Sequence, residues 1–190
     1  MPDFLLQLDR KLFYFINHTL SNQFFDTIMP HLRAPLFWVP IYIFILIFSI
    51  ARYKKQGIII ILLLIATFAV ADFGSASLIK PFVHRLRPCN DPALAQTINH
   101  VKGVDCGTGY SFPSSHASNH FAISVFLICV FYKRWRGIWF WVLLWACLVC
   151  FVQVYVGVHY PIDILSGSVY GTLVGWLIGS VLFKKAVPGF

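Results

Sequence analysis

Apolar residues run in five long blocks along this chain, at about 34 to 51, 58 to 79, 114 to 132, 137 to 158 and 161 to 183, each separated from the next by a polar interval. A helix needs roughly 20 apolar residues to cross about 30 Å of hydrocarbon, whereas a barrel would show short alternating segments. The blocks therefore predict membrane-spanning helices, which satisfy their backbone hydrogen bonds internally as lipid requires. The expected fold class is all-α, an integral membrane bundle of about five spans. Residues 1 to 33 behave differently. Phe4, Leu5, Leu8, Leu12, Phe15 and Ile16 recur at helical spacing around Asp9, Arg10 and Lys11, which predicts an amphipathic helix lying in the membrane interface. A sixth, short span drawing on residues 24 to 29 is the alternative. Asp3 and Asp9 stand where a cleaved signal would need a basic start and an unbroken apolar core, so this segment is expected to be retained. The chain divides into an interfacial segment, 1 to 33, and a single transmembrane domain, 34 to 190.

Composition excludes a soluble globular protein: 58% of the 190 residues are hydrophobic and only 12% are charged, against about 25% charged in an ordinary soluble domain. Fifteen Lys and Arg against seven Asp and Glu give a net charge of +8. Between aromatic-rich apolar runs, that excess points to anionic membrane lipids as partners and not to nucleic acid. Its distribution predicts orientation. Arg52, Lys54, Lys55, Lys133, Arg134, Arg136, Lys184 and Lys185 lie on one face. The other face carries Arg10, Lys11, Arg33 and Lys102, once the tight cluster of Lys80, Arg85 and Arg87 is set aside as a site. By the positive-inside rule the short loops at 52 to 57 and 133 to 136 are cytoplasmic, and the long loop from 80 to 113 faces outward. Gly167, Gly171, Gly175 and Gly179 draw a smooth stripe along the last span. It predicts close helix packing inside a monomer, with a weak homodimer as the alternative.

The polar residues that matter gather in the outward loops. Lys80 precedes Arg87 and Pro88 at the end of the second span; such cations can converge on an anion or simply snorkel to headgroups. The run Tyr110-Ser111-Phe112-Pro113-Ser114-Ser115-His116 opens the third span. Amides at a helix N-terminus suit a phosphate, and N-capping explains a serine but not the histidine beside it. His159 is followed four residues later by Asp163, an arrangement that holds an imidazole in one tautomer or makes a structural hydrogen bond. Three such pieces on one face point to a phosphate site. No carboxylate cluster is present for magnesium, so metal-independent chemistry without a cofactor is expected. Cys89 and Cys106 share the outward loop; a disulfide, two thiols and a metal pair all remain open, the last without CxxC spacing to support it. Asp72, about 12 Å below Lys80 along its helix, is expected to be paired, with His120 the candidate partner.

These residues, over about 58 to 183, resemble the type 2 phosphatidic acid phosphatase superfamily of membrane lipid phosphatases, related to vanadium haloperoxidases. Lys80, Arg87 and Pro88 match its first motif, Lys-x6-Arg-Pro. Pro113, Ser114 and His116 match the second, with Ser115 where glycine is frequent, and His159 and Asp163 match the third, Ser-Arg-x5-His-x3-Asp. The resemblance implies that His159 is a nucleophile forming a phosphohistidine, Asp163 its orienting partner and His116 the general acid. Lys80, Arg87 and Ser114 would clamp the phosphate, with the Ser115 amide. It further implies a lipid phosphate or diphosphate substrate at the outer surface of a bacterial inner membrane. Undecaprenyl diphosphate leads, ahead of phosphatidylglycerol phosphate, phosphatidic acid and lipid A phosphate. A non-hydrolytic lipid-phosphate binder or a transporter is the reading of another class.

One position departs from the pattern. The third motif's arginine is Gln153 here, preceded by Val152. Glutamine offers a neutral hydrogen bond of about 1 kcal/mol where a charge-assisted one is worth roughly 1.5–3. Three readings stay open: Arg85 or Lys102 supplies the missing charge, Gln153 is an inactivating substitution, or the chain binds phosphate without efficient turnover.

Overall fold

The structure, a computed structural model, describes residues 3–190. Among them every regular element is helical. Helix α1 (Asp3–Tyr14) runs on through a π-helical turn (Phe15–Thr19), and α2 (Gln23–Arg33) follows, capped by Asn22, whose side chain accepts the Phe25 N–H at 3.0 Å. Ala34 turns to an extended conformation, which the proline ring of the next residue favours, and Pro35 opens α3 (Pro35–Tyr53). This sharp corner places Arg33 at the junction of two helices. Helix α4 (Lys55–Phe73) continues through a π-helical turn (Gly74–Ile79) into the short α5 (Lys80–Val83). The remaining helices are α6 (Ser115–Phe131), α7 (Ile138–Tyr155), α8 (Pro161–Leu177) and, beyond another π-helical turn, the short α9 (Phe183–Ala186).

Helices α3 and α7 and the runs beginning at Lys55 and Pro161 are long and apolar enough to cross a membrane; α6, at 17 residues, is the shorter fifth. The five apolar blocks thus become five helices within a few residues of their expected bounds. Helix α2 has 11 residues, about 16 Å of rise, which is half a bilayer core. Outward-facing Leu36, Phe44, Leu62, Leu165 and Leu173 are each more than half exposed, as side chains that meet lipid are.

Helix α6 is the axis of the bundle, packed between α4, α7 and α8. Its contact with α8 depends on the glycine stripe. A Cβ at Gly171 would lie 2.1 Å from the Ser118 carbonyl oxygen, one at Gly175 2.3 Å from that of Ala122, and one at Gly167 2.4 Å from that of Ser114. Only hydrogen at these positions lets the two backbones approach. The stripe is consumed within the chain. The close contact locks the N-termini of α6 and α8 side by side, and the Ser114 N–H donates to the Asp163 carbonyl at 3.0 Å.

Candidate active site

The three motifs converge at the end of the bundle where α4 finishes and where α6 and α8 begin. His159 sits in the tight connection from α7 to α8, where Gly157 has φ +79°. The Gln153 carbonyl, freed at the end of α7, accepts the N–H groups of Val158 and His159 at 3.1 and 3.2 Å. The His159 imidazole is 1% exposed, with Nδ1 3.4 Å from Ser111 Oγ and 3.7 Å from Asp163 Oδ2. The Ser111 hydroxyl donates to that same carboxylate oxygen, so serine stands between imidazole and carboxylate. Nε2 makes no hydrogen bond among the described residues.

Asp163 is fully buried and fully engaged. Oδ2 also accepts the Tyr160 N–H at 2.8 Å, closing the capping box of α8, and Oδ1 accepts from Arg85 Nη1 at 2.7 Å. Arg85 turns its Nη2 to Asp9, whose other oxygen accepts the Ile162 N–H at 2.8 Å, and lies 4.0 Å over the Tyr160 ring. A buried carboxylate needs a partner to remain charged; here one guanidinium serves two.

This geometry corrects two expectations. Arg85 does not stand in for the arginine missing at position 153, because both ends of its guanidinium are committed to Asp163 and Asp9. Lys102 is exposed on the outer loop and makes no bond to Gln153. The cation beside Gln153 is Arg33, whose Nε donates to Gln153 Oε1 at 3.3 Å. Asp9, expected among the polar residues of an interfacial helix, is 3% exposed and bonded at the base of the site.

Lys80 opens α5, half-buried. Arg87, also half-buried, is anchored through Nε to the Gly109 carbonyl at 2.9 Å and through Nη1 to that of Cys106 at 2.7 Å. Cys89 and Cys106 form a disulfide, Cα to Cα 6.1 Å, which ties together the loop that Arg87 braces. Ser114 Oγ caps α6 by accepting the Ala117 N–H at 3.4 Å. The first-turn amides of Ser115 and His116 have no helical partner of their own, and the Ser115 hydroxyl accepts from Ser75 at 3.0 Å. His116 stands within the electrostatic reach of His159, Arg33 and Lys80.

Asp72 is paired, but not with His120. Its Oδ1 accepts from Asn119 Nδ2 at 2.8 Å, while His120 Nδ1 bonds the His116 carbonyl of its own helix at 2.8 Å. Both side chains are four residues below a motif residue, and only the rotation of α6 against α4 selects asparagine.

Beneath these groups an apolar cavity of about 570 Å³ runs between α3, α4 and α6, lined among others by Trp38, Leu46, Ile65, Phe68 and Ile123. A second cavity of about 310 Å³ opens toward the outer loop. Arg33 and His116 line both, so the two spaces meet at the site. Ser111, Arg33, Asp9 and Asn119 are the residues that reading the motifs missed. Ser111 lies inside the run from Tyr110 to His116, where a hydroxyl two residues before the proline was the one signal; the other three had none.

A buried imidazole backed by a serine and a carboxylate, in the field of Lys80 and Arg87 and of a second histidine that lines an apolar cavity between the spanning helices, defines the class: a membrane-embedded phosphate-handling protein. The PAP2 superfamily model matches residues 56–186, and the chain belongs to that family. It is 33% identical to the lipid A 4'-phosphatase of Bacteroides thetaiotaomicron over 97% of this chain and 81% of that protein. It is 29% identical to an undecaprenyl-diphosphatase of Sulfolobus acidocaldarius over 80% of this chain and 65% of that one. The crystal structure of a transmembrane PAP2 type phosphatidylglycerolphosphate phosphatase from Bacillus subtilis superposes over all of this chain and 90% of its own, with a TM-score of 0.72 at 20% identity. The chain is an integral membrane protein with the fold of the membrane phosphatases.

Proposed function

We propose that this chain hydrolyses the phosphate ester of a membrane lipid by way of a phosphohistidine on His159. The observation that carries the reading is an oriented, buried imidazole within the electrostatic reach of Lys80, Arg87 and His116, the last of which lines the apolar cavity. His159 Nε2 attacks phosphorus and the bond to the lipid oxygen breaks. His116 gives its proton to that oxygen, and the lipid alcohol leaves. Water then attacks the phosphohistidine, His116 takes the proton, and the P–N bond breaks to release inorganic phosphate. Lys80, Arg87, the Ser115 amide and the site-end dipole of α6 bind the equatorial oxygens, whose charge must be neutralised throughout. Ser114 acts by capping that helix. Asp163 and Ser111 fix the imidazole and favour its positive form.

Hydrolysis without a metal fits this donor set. Among the described residues no three His, Cys, Asp or Glu side chains gather as a metal ion would require, and the cations present can supply the charge. Phosphate release from a panel of lipid phosphates in detergent, with EDTA present, is expected to show multiple turnover; stoichiometric binding without release would favour the non-hydrolytic binder instead. The substrate we favour is a lipid A type phosphate, because the lipid A 4'-phosphatase of Bacteroides thetaiotaomicron aligns with nearly the whole chain, outer loop and first two helices included, at 33% identity. Undecaprenyl diphosphate, which the motif resemblance favours by itself, is the second reading.

The site faces the outside of the inner membrane, with residues 3–33 resting at that interface and the protein acting as a monomer. The disulfide suits an oxidising compartment, and the loops rich in Lys and Arg lie at the opposite end of the bundle. Single cysteines near Lys102 should react with an impermeant thiol reagent on intact cells, and those near Lys54 and Lys133 should not. The reverse pattern would place the site in the cytoplasm.

Burial holds the His159 imidazole below the ordinary histidine pKa of 6.5, against the opposing pull of Asp163. A nucleophile must be neutral, so a lowered pKa keeps it competent as the pH falls through 6.5 and removes it only below its own value. Phosphoenzyme formation should therefore show an acidic limb below pH 6.5, measurable by rapid-quench trapping. A limb above that value would contradict the assignment.

A further inference from the structure

The charge missing at position 153 is present in space. Arg33 ends α2 at the corner set by Pro35, 120 residues before Gln153 in the chain. Its Nε donates to Gln153 Oε1 at 3.3 Å and its Nη1 to the Asp105 carbonyl at 3.2 Å, while Nη2 makes no hydrogen bond among the described residues. The guanidinium lines both cavities with His116 and lies within the field of Arg87. A half-buried cation set beside another cation gains little from the protein alone; an anion between them would bind both.

We propose that Arg33 binds the phosphoryl oxygens of the substrate, in place of the third-motif arginine, and that Gln153 is the positioning residue that holds its Nε. This rests on the lipid phosphatase reading. Gln153 is fully buried and presents Oε1, an acceptor that an arginine at 153 would lack. The two positions therefore make sense together: neutral acceptor on α7, cation on α2. The family match begins at residue 56, so the residue lies outside the segment that defines the family.

The test uses the full chain in detergent, phosphatidic acid as substrate and orthovanadate as the phosphate-shaped competitor. Arg33→Ala should lower kcat/KM about 10- to 100-fold and weaken vanadate inhibition by a similar factor, with Arg33→Lys between it and the parent. Arg33→Ala combined with Gln153→Arg should recover about tenfold or more, because the charge then returns from α7. An Arg33→Ala variant with the parent's rate and vanadate affinity, or a folded double variant that recovers nothing, overturns the assignment. Absence of hydrolysis by the unchanged protein of lipid A phosphate and undecaprenyl diphosphate as well as phosphatidic acid would instead remove the phosphatase reading.

Discussion

Replacing His159 by Ala should lower turnover about 10⁴-fold or more and abolish the acid-labile phosphoenzyme, because no other side chain presents an activated nitrogen at that place. The site explains why. Ser111 and Asp163 approach Nδ1 at 3.4 and 3.7 Å, so the opposite nitrogen is the one directed to substrate. His116 has no comparable support and should behave differently. Its replacement should leave a phosphoenzyme that forms from substrates with good leaving groups and slow most on lipid alcohols, which need the proton. His159→Gln, closer in volume, separates lost chemistry from a cavity in a buried connection. Retention of a phosphoenzyme in either His159 variant would disprove the nucleophile assignment.

The second large effect is structural. Arg85→Ala should cost about 3–5 kcal/mol of stability, the usual consequence of removing one partner of a buried ion pair, here with two carboxylates left uncompensated. Asp163 is 0% and Asp9 3% exposed, and the arginine side chain is 17% exposed, so water offers little relief. Against a total stability of roughly 5–15 kcal/mol such a loss is severe. It would appear as a lowered unfolding temperature in detergent, with activity falling as negative charge accumulates beside His159. Arg85→Ala combined with Asp9→Ala should be less damaging than the sum of the two, since the second change removes one stranded charge. Arg87 makes its bonds to neutral carbonyls, so Arg87→Ala should instead reduce kcat/KM with a smaller change in stability. An Arg85→Ala protein as stable as its parent would show that the triad contributes nothing to the fold.

These two arginines mark how far the linear chain could be read. Both lie in the run from Lys80 to Pro88, two residues apart. Spacing assigned Arg87 to the motif and left Arg85 as a spare cation free to serve Gln153. In the folded chain Arg85 is the internal counter-ion of Asp163, and Asp9 balances it from α1. Neither partner is predictable from local pattern, because Asp9 looks like any polar residue on the charged face of an amphipathic helix.

What the sequence determined by itself was whatever depends on neighbours along the chain. Hydropathy over about 20 residues sets the five spans, since each helix closes its own hydrogen bonds. Motif spacing put Lys80, Arg87, Ser114, His116, His159 and Asp163 on one membrane face, because odd and even numbers of crossings decide the side. The Gly167 to Gly179 repeat announced a close helix contact, although not its partner. The tertiary structure decided everything that depends on rotation and approach between helices: α6 as that partner, Asn119 and not His120 against Asp72, Ser111 between His159 and Asp163, and Arg33 beside Gln153. The physical reason is the same in each case. An α-helix turns about 100° per residue, so a contact across helices depends on an angle and a depth that only packing of the whole bundle supplies.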